Sequence, residues 1–75
     1  MPHVIVKMHP GRTEQAKAEL SAAIVRDIKS ILNVGDDAIS VSIEEIGAHD
    51  WAEQVYKPDI VNVAGKLYKR PGYNP

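Results

Sequence analysis

Residues 13–32, TEQAKAELSAAIVRDIKSIL, decide the fold: they read as one amphipathic helix long enough to carry the chain from one strand to a parallel second strand. Ala16, Leu20, Ile24, Ile28 and Ile31 recur at helical spacing, with Ala23 and Leu32 beside them, and form the expected core stripe. Lys17, Asp27 and Lys29 fall on the wetter side. Thr13 is suited to cap the first turn, Glu14 places negative charge beside its unpaired N–H groups, and Asn33 and Gly35 mark the end. At about 1.5 Å per residue such a helix runs roughly 30 Å, enough to cross a small sheet and return.

The flanks supply the strands. Upstream, Val4, Ile5 and Val6 favour an extended chain, with Val4, Val6 and Met8 on one face and His3, Ile5 and Lys7 on the other, until His9-Pro10-Gly11 stops it. Downstream, residues 39–46 alternate: Ile39, Val41 and Ile43 point one way, and Ser40, Ser42 and Glu44 the other. The expected architecture is α/β, a right-handed β-α-β unit with a short C-terminal helix. That helix is expected after Pro58, which interrupts the segment beginning at Trp51. Asp59 then caps it or lies in its first turn, Ile60, Val63, Ala64, Leu67 and Tyr68 form its stripe, and Lys66, Lys69 and Arg70 sit near its end at Pro71-Gly72. No repeat or linker divides residues 1–75, so one domain is expected.

Size and composition narrow the possibilities. A chain of 75 residues buries only about 60 to 65% of its potential surface, and two parallel strands make a poor independent sheet. A second copy adding its strands is therefore expected, giving a homodimer, with a hexamer as the alternative. Nine basic and ten acidic residues nearly cancel, which argues against nucleic acid as an obligate partner. The absence of cysteine removes disulfides and thiolate chemistry. The first apolar run, Val4 to Val6, is far too short for a membrane span, so no membrane association and a cytoplasmic location are expected.

Pro2 carries the chemistry of interest. If Met1 is removed, its ring nitrogen becomes a secondary amine that an apolar pocket or nearby cation can tune toward neutrality as a rigidly aimed general base. With Met1 attached, the same atom is an amide nitrogen without basicity, and Met-Pro is then only a strand start. Arg12, between the Pro10-Gly11 turn and the helix, offers a two-pronged fork for a carboxylate, although a solvated arginine fits the same position. Trp51, the only tryptophan, suits either an apolar pocket wall or an interface. His3, His9 and His49 lack metal-ligand spacing, and no metal is assigned. His3 is placed either to tune Pro2 or as an ordinary strand residue, and Ser40 and Ser42 have no identifiable base for a hydrolase triad.

Taken in order, the start Pro-His-Val-Ile-Val after Met1, the Gly11-Arg12-Thr13-Glu14-Gln15-Ala16-Lys17 segment, the 39–46 strand and Trp51 resemble the 4-oxalocrotonate tautomerase family over nearly the full chain. The short bacterial members of the PptA-like type are most similar. The resemblance implies β-α-β subunits paired into dimers, sometimes hexamers, with active sites near subunit boundaries. It places the catalytic proline on Pro2, the substrate-binding arginine on Arg12 and the aromatic wall on Trp51. It also implies cofactor-independent keto-enol interconversion of small conjugated 2-hydroxy and 2-oxo acids.

One departure bears on substrate. Ser40 stands where hexameric members carry an arginine for the far end of a dicarboxylate, so a monocarboxylate, phenylpyruvate-like enol is expected, with Ser40 offering one hydrogen bond. The tail Lys69-Arg70-Pro71-Gly72-Tyr73 also resembles the dimeric branch. Three other readings stay open: a related dehalogenase or hydratase in which Glu44 or Glu45 activates water, a non-catalytic oligomeric module that binds organic acids through Arg12 and the helix-start N–H groups, and a structural role in which Pro2 is inert and Trp51 anchors an interface.

Overall fold

Strands β1 (His3–Met8) and β2 (Ser40–Glu45) pair in parallel in the computed structural model, which describes residues 1–74. His3 stands opposite Ser40 and Met8 opposite Glu45. The ladder runs one bond further at each end, because the Ser40 N–H donates to the Pro2 carbonyl at 3.2 Å and the Ile46 N–H to the Met8 carbonyl at 2.9 Å. Helix α1 (Glu14–Leu32) makes the crossover. Its caps are those the sequence proposes: Thr13 Oγ1 accepts from the Ala16 N–H at 3.0 Å, and Asn33, left-handed at φ 56°, donates its N–H to the Lys29 carbonyl at 3.0 Å.

The helix lies on the sheet with a slightly rotated face. Lys17, Ser21, Ile24 and Ile28 are half-buried, with Ala23 and Val25, whereas Ala16, Leu20, Ile31 and Leu32 of the expected stripe are exposed. Lysine can occupy an inward position because its apolar stem lies along the sheet while the ammonium reaches partners at the edge. Here Lys17 Nζ pairs with Glu14 and lies 3.4 Å from Glu45, the β2 residue opposite Met8. Those carboxylates hold its pKa above the ordinary value: the Glu14 hydrogen bond is the largest contribution, partly offset by desolvation.

The C-terminal helix departs from expectation. It spans Ala52–Val61 with Pro58 inside it and is wound with the wider π geometry, as the Asn62 N–H donating to the Lys57 carbonyl at 3.0 Å illustrates. A proline in an α-helix removes one N–H and drives its ring into the carbonyl four residues back; wider winding relieves that collision, so the helix changes pitch instead of stopping. Beyond it, only Ala64–Lys66 form a short 3₁₀ turn, Leu67 is extended and Tyr68 is exposed. The stripe expected from Ile60 to Tyr68 is therefore not a helical face. Asp59 caps no helix; it receives the Lys7 ammonium at 2.5 Å and ties the π-helix to the sheet face opposite α1. The Asp59 bond raises the Lys7 pKa, against a smaller desolvation effect.

Little of this chain is sealed from solvent by itself. Ile46 and Val55, 9% and 5% exposed, are the buried apolar side chains among the described residues, and Ile5 remains 51% exposed in the middle of β1. No helix of the described residues is long and apolar enough to cross a membrane.

Candidate active site

The site residues fall into two groups at opposite ends of the strands. At the N-terminal end, Pro2, His3 and Ser40 line a depression of about 380 Å³ with Met1, Asp37, Ala38 and Ile39. Pro2 is half-buried, and Met1 projects wholly into solvent. Parallel register puts His3 directly across from Ser40, and His3 Nδ1 lies 2.6 Å from Ser40 Oγ. Ser40 is thus engaged beside Pro2, and it brings no positive charge there. His3, left open between two roles on sequence grounds, holds this serine.

At the C-terminal end, a cleft of about 780 Å³ is lined by Lys7, Met8, His9, Pro10, Gly11, Arg12, Ala48, Trp51 and Tyr73. The turn that delivers Arg12 depends on Gly11, whose φ of 122° lies where side chains are strongly disfavoured. Arg12 is exposed and forms no ion pair among the described residues. It stands immediately before the N-cap of α1, whose first-turn N–H groups add to the anion-attracting field. Trp51 forms a wall of the cleft: its ring meets His9 edge-on at 4.9 Å between centroids and 85° between planes.

Sequence reading missed two features of this cleft. His9 reads in the sequence as part of a turn and as a histidine without metal-ligand spacing, yet its ring meets Trp51 edge-on. Tyr73 was seen only as part of a tail, yet its hydroxyl accepts the Trp51 Nε1–H at 2.9 Å. That tail is held by Tyr56, whose hydroxyl donates to Asn74 Oδ1 at 2.9 Å and whose ring lies 5.7 Å from that of Tyr73. Contacts that span 17 to 22 residues leave no periodic signal in the sequence.

The six residues of β1, at about 3.3 Å each, put roughly 20 Å between the two groups. A small acid cannot touch Pro2 and Arg12 of the same chain at once. Glu44 and Glu45 close β2 at the end away from Pro2, and Glu45 faces Lys17. Among the described residues, no group of three or more His, Cys, Asp or Glu side chains is arranged to hold a metal ion.

Comparison with known proteins places this arrangement. The family model described as tautomerase enzyme matches residues 2–56. A probable tautomerase of Xylella fastidiosa (strain 9a5c) is 41% identical over 73 residues, covering 97% of this chain and 89% of the relative. Tautomerase PptA of Escherichia coli O127:H6 is 36% identical over 75 residues and 99% of both chains. Among solved structures, TomN, a 4-oxalocrotonate tautomerase homologue in the tomaymycin biosynthetic pathway, superposes with a TM-score of 0.64 at 28% identity, covering 67% of this chain and 77% of its own. YwhB, another homologue of 4-oxalocrotonate tautomerase, gives 0.59 at 35% identity over 61% of this chain and 75% of its own. The strand-helix-strand unit is thus shared in sequence and in fold, and the chain belongs to the tautomerase family of isomerase enzymes.

Proposed function

We propose that this chain, freed of Met1, is a cofactor-independent keto-enol tautomerase of small conjugated 2-hydroxy and 2-oxo monocarboxylic acids, acting in the cytoplasm as a homodimer. The observation that carries the assembly is the roughly 20 Å between Pro2 and the Arg12 cleft. A two-fold pairing brings Pro2 of one copy to the Arg12 and Trp51 of the other, twice per dimer. The exposed Ile5 on the open sheet face supplies apolar surface for such a pairing.

In this site the neutral Pro2 amine accepts the enol hydroxyl proton as the O–H bond breaks. The C–O bond gains double-bond character, the conjugated π electrons shift, and the proton moves from the prolinium nitrogen to carbon. Proton and electron count are conserved, so no redox partner is needed. Arg12 holds the carboxylate, which fixes the acceptor carbon relative to Pro2. Trp51 excludes water and disfavours the prolinium charge, keeping the amine available as a base. Ser40, held by His3, offers no permanent charge for a second carboxylate, which supports turnover of monocarboxylates at least comparable to that of related dicarboxylates.

The test is complementation. Met1-retained protein is expected to be inactive and Met1-free Arg12→Ala to keep at most about 3% of kcat/KM; after subunit exchange, random pairing should restore about a quarter of the sites. Intact mass must first confirm both N-termini. No recovery in demonstrably mixed dimers would rule out the shared site.

A further inference from the structure

The Arg12 cleft holds a second polar group whose bonding direction is fixed by its neighbour. An indole N–H can only donate, so in the 2.9 Å bond between Trp51 Nε1 and the Tyr73 hydroxyl the phenol oxygen is the acceptor. The Tyr73 proton must point elsewhere, and no described residue receives it. Tyr73 is 46% exposed, and its open side lines the cleft that contains Arg12. The tail cannot swing freely, because Tyr56 donates to Asn74 Oδ1 at 2.9 Å and packs against the Tyr73 ring. Donor and guanidinium therefore share one cavity; Met8, Pro10 and the His9–Trp51 pair give it apolar and aromatic walls, and Lys7, which also lines it, has its ammonium bound to Asp59.

We propose that Tyr73 is a substrate-binding residue of this cleft, its hydroxyl donating to a carboxylate oxygen of an aryl-substituted monocarboxylic acid that Arg12 holds at its other edge. This deepens the proposed function and rests on its assignment of the cleft. The donor-only indole makes the site selective. With the phenol oxygen already accepting from Trp51, Tyr73 meets the ligand as a donor, a role matched by a carboxylate. Aromatic walls favour a flat ring on the same molecule.

Trp51, as the only tryptophan, reports directly on occupancy by its fluorescence. Phenylacetate and phenylacetamide, which share a ring but differ in charge, are titrated into the assembled wild-type protein and Tyr73→Phe. A charge-assisted bond is about twice as strong as a neutral one, so the variant should lose about tenfold in affinity for the acid and only about threefold for the amide. Unchanged acid affinity in the variant would overturn the role of Tyr73 while leaving the Arg12 cleft and the proposed function in place. Equal losses for the two probes would overturn it as well, since they would mean a loosened tail. Failure of the wild-type protein to bind phenylacetate would overturn the assignment of the cleft itself.

Discussion

Replacing Arg12 with alanine tests whether a second copy encloses the proposed acid-binding cleft. In the single chain Arg12 is exposed, and an exposed ion pair contributes only about 0.2 to 1 kcal/mol, a loss below about fivefold on removal. A guanidinium-carboxylate pair enclosed at an interface behaves differently. Its deletion costs about 2 to 4 kcal/mol, which is roughly 30-fold to 1,000-fold in kcat/KM. Under the proposed pairing, Pro2 of one copy meets the cleft of the other and the cleft is covered, so the larger range is expected. Steady-state ketonisation of an aryl enol acid, measured well above the dissociation constant of the dimer, gives the number. Arg12→Lys should fall between, keeping the charge and losing the fork. A loss of fivefold or less for Arg12→Ala would refute the reasoning, because the arginine would then be a solvated side chain with no part in an enclosed site.

Three further outcomes follow from the same geometry. Protein that retains Met1 should lose essentially all ketonisation, since Pro2 is then an amide; equal rates in mass-verified Met1-retained and Met1-free preparations would eliminate the amine base. Ile5→Asp should weaken assembly, because covering the exposed half of each isoleucine contributes about 1 kcal/mol, so two copies give about 30-fold in the dimer dissociation constant before any cost of the charge. Sedimentation velocity at graded concentration reads this, and an unshifted dimer would move the interface away from the open sheet face. The Lys7–Asp59 bond makes a statement about pH: Lys7 titrates above its ordinary 10.5 in the folded chain, so the bond's stabilisation is fully present below that value and is lost as pH rises through the folded-state pKa. The Tm gap between wild type and Asp59→Asn should thus hold at about pH 8 and narrow as the pH rises beyond 10.5; a gap that stayed constant would detach Lys7 from it.

Local chemistry made much of the fold legible. Thr13 and Asn33 announce the ends of α1 because capping is settled within one turn, and alternation assigned the faces of both strands correctly. What escaped depended on neighbours distant in sequence. Lys17 turns inward because Glu45 of β2 waits at the sheet edge, and a hydrophobicity stripe treats lysine as an outward residue. Pro58 looked like a stop because an α-helix cannot hold it, whereas the Lys7–Asp59 tie and the burial of Val55 keep the segment helical on either side of it. His3 and Ser40 were each named without being joined. Alternation sets faces, but only register, one residue opposite another, makes that pair.

The incomplete core and the divided site have one structural origin. A single α-helix can cover one face of two strands, and α1 does so; the π-helix covers the other face only in part, leaving Ile5 half exposed. Parallel strands also deliver both N-terminal ends to one edge of the sheet, so Pro2 and Ser40 meet there while everything following the strands, Arg12 and Trp51 included, gathers at the opposite edge. No rearrangement within one chain corrects this, since antiparallel pairing would forfeit the α1 crossover. A copy related by a two-fold axis in the open face runs its strands in the opposite direction. In the proposed dimer it would cover Ile5 and set its own Arg12 edge beside the first copy's Pro2. If pairing through that face both completes the core and joins the site, activity and folding stability must fall together on dilution; a folded, inactive monomer would separate the two and place the catalytic contact on some other surface.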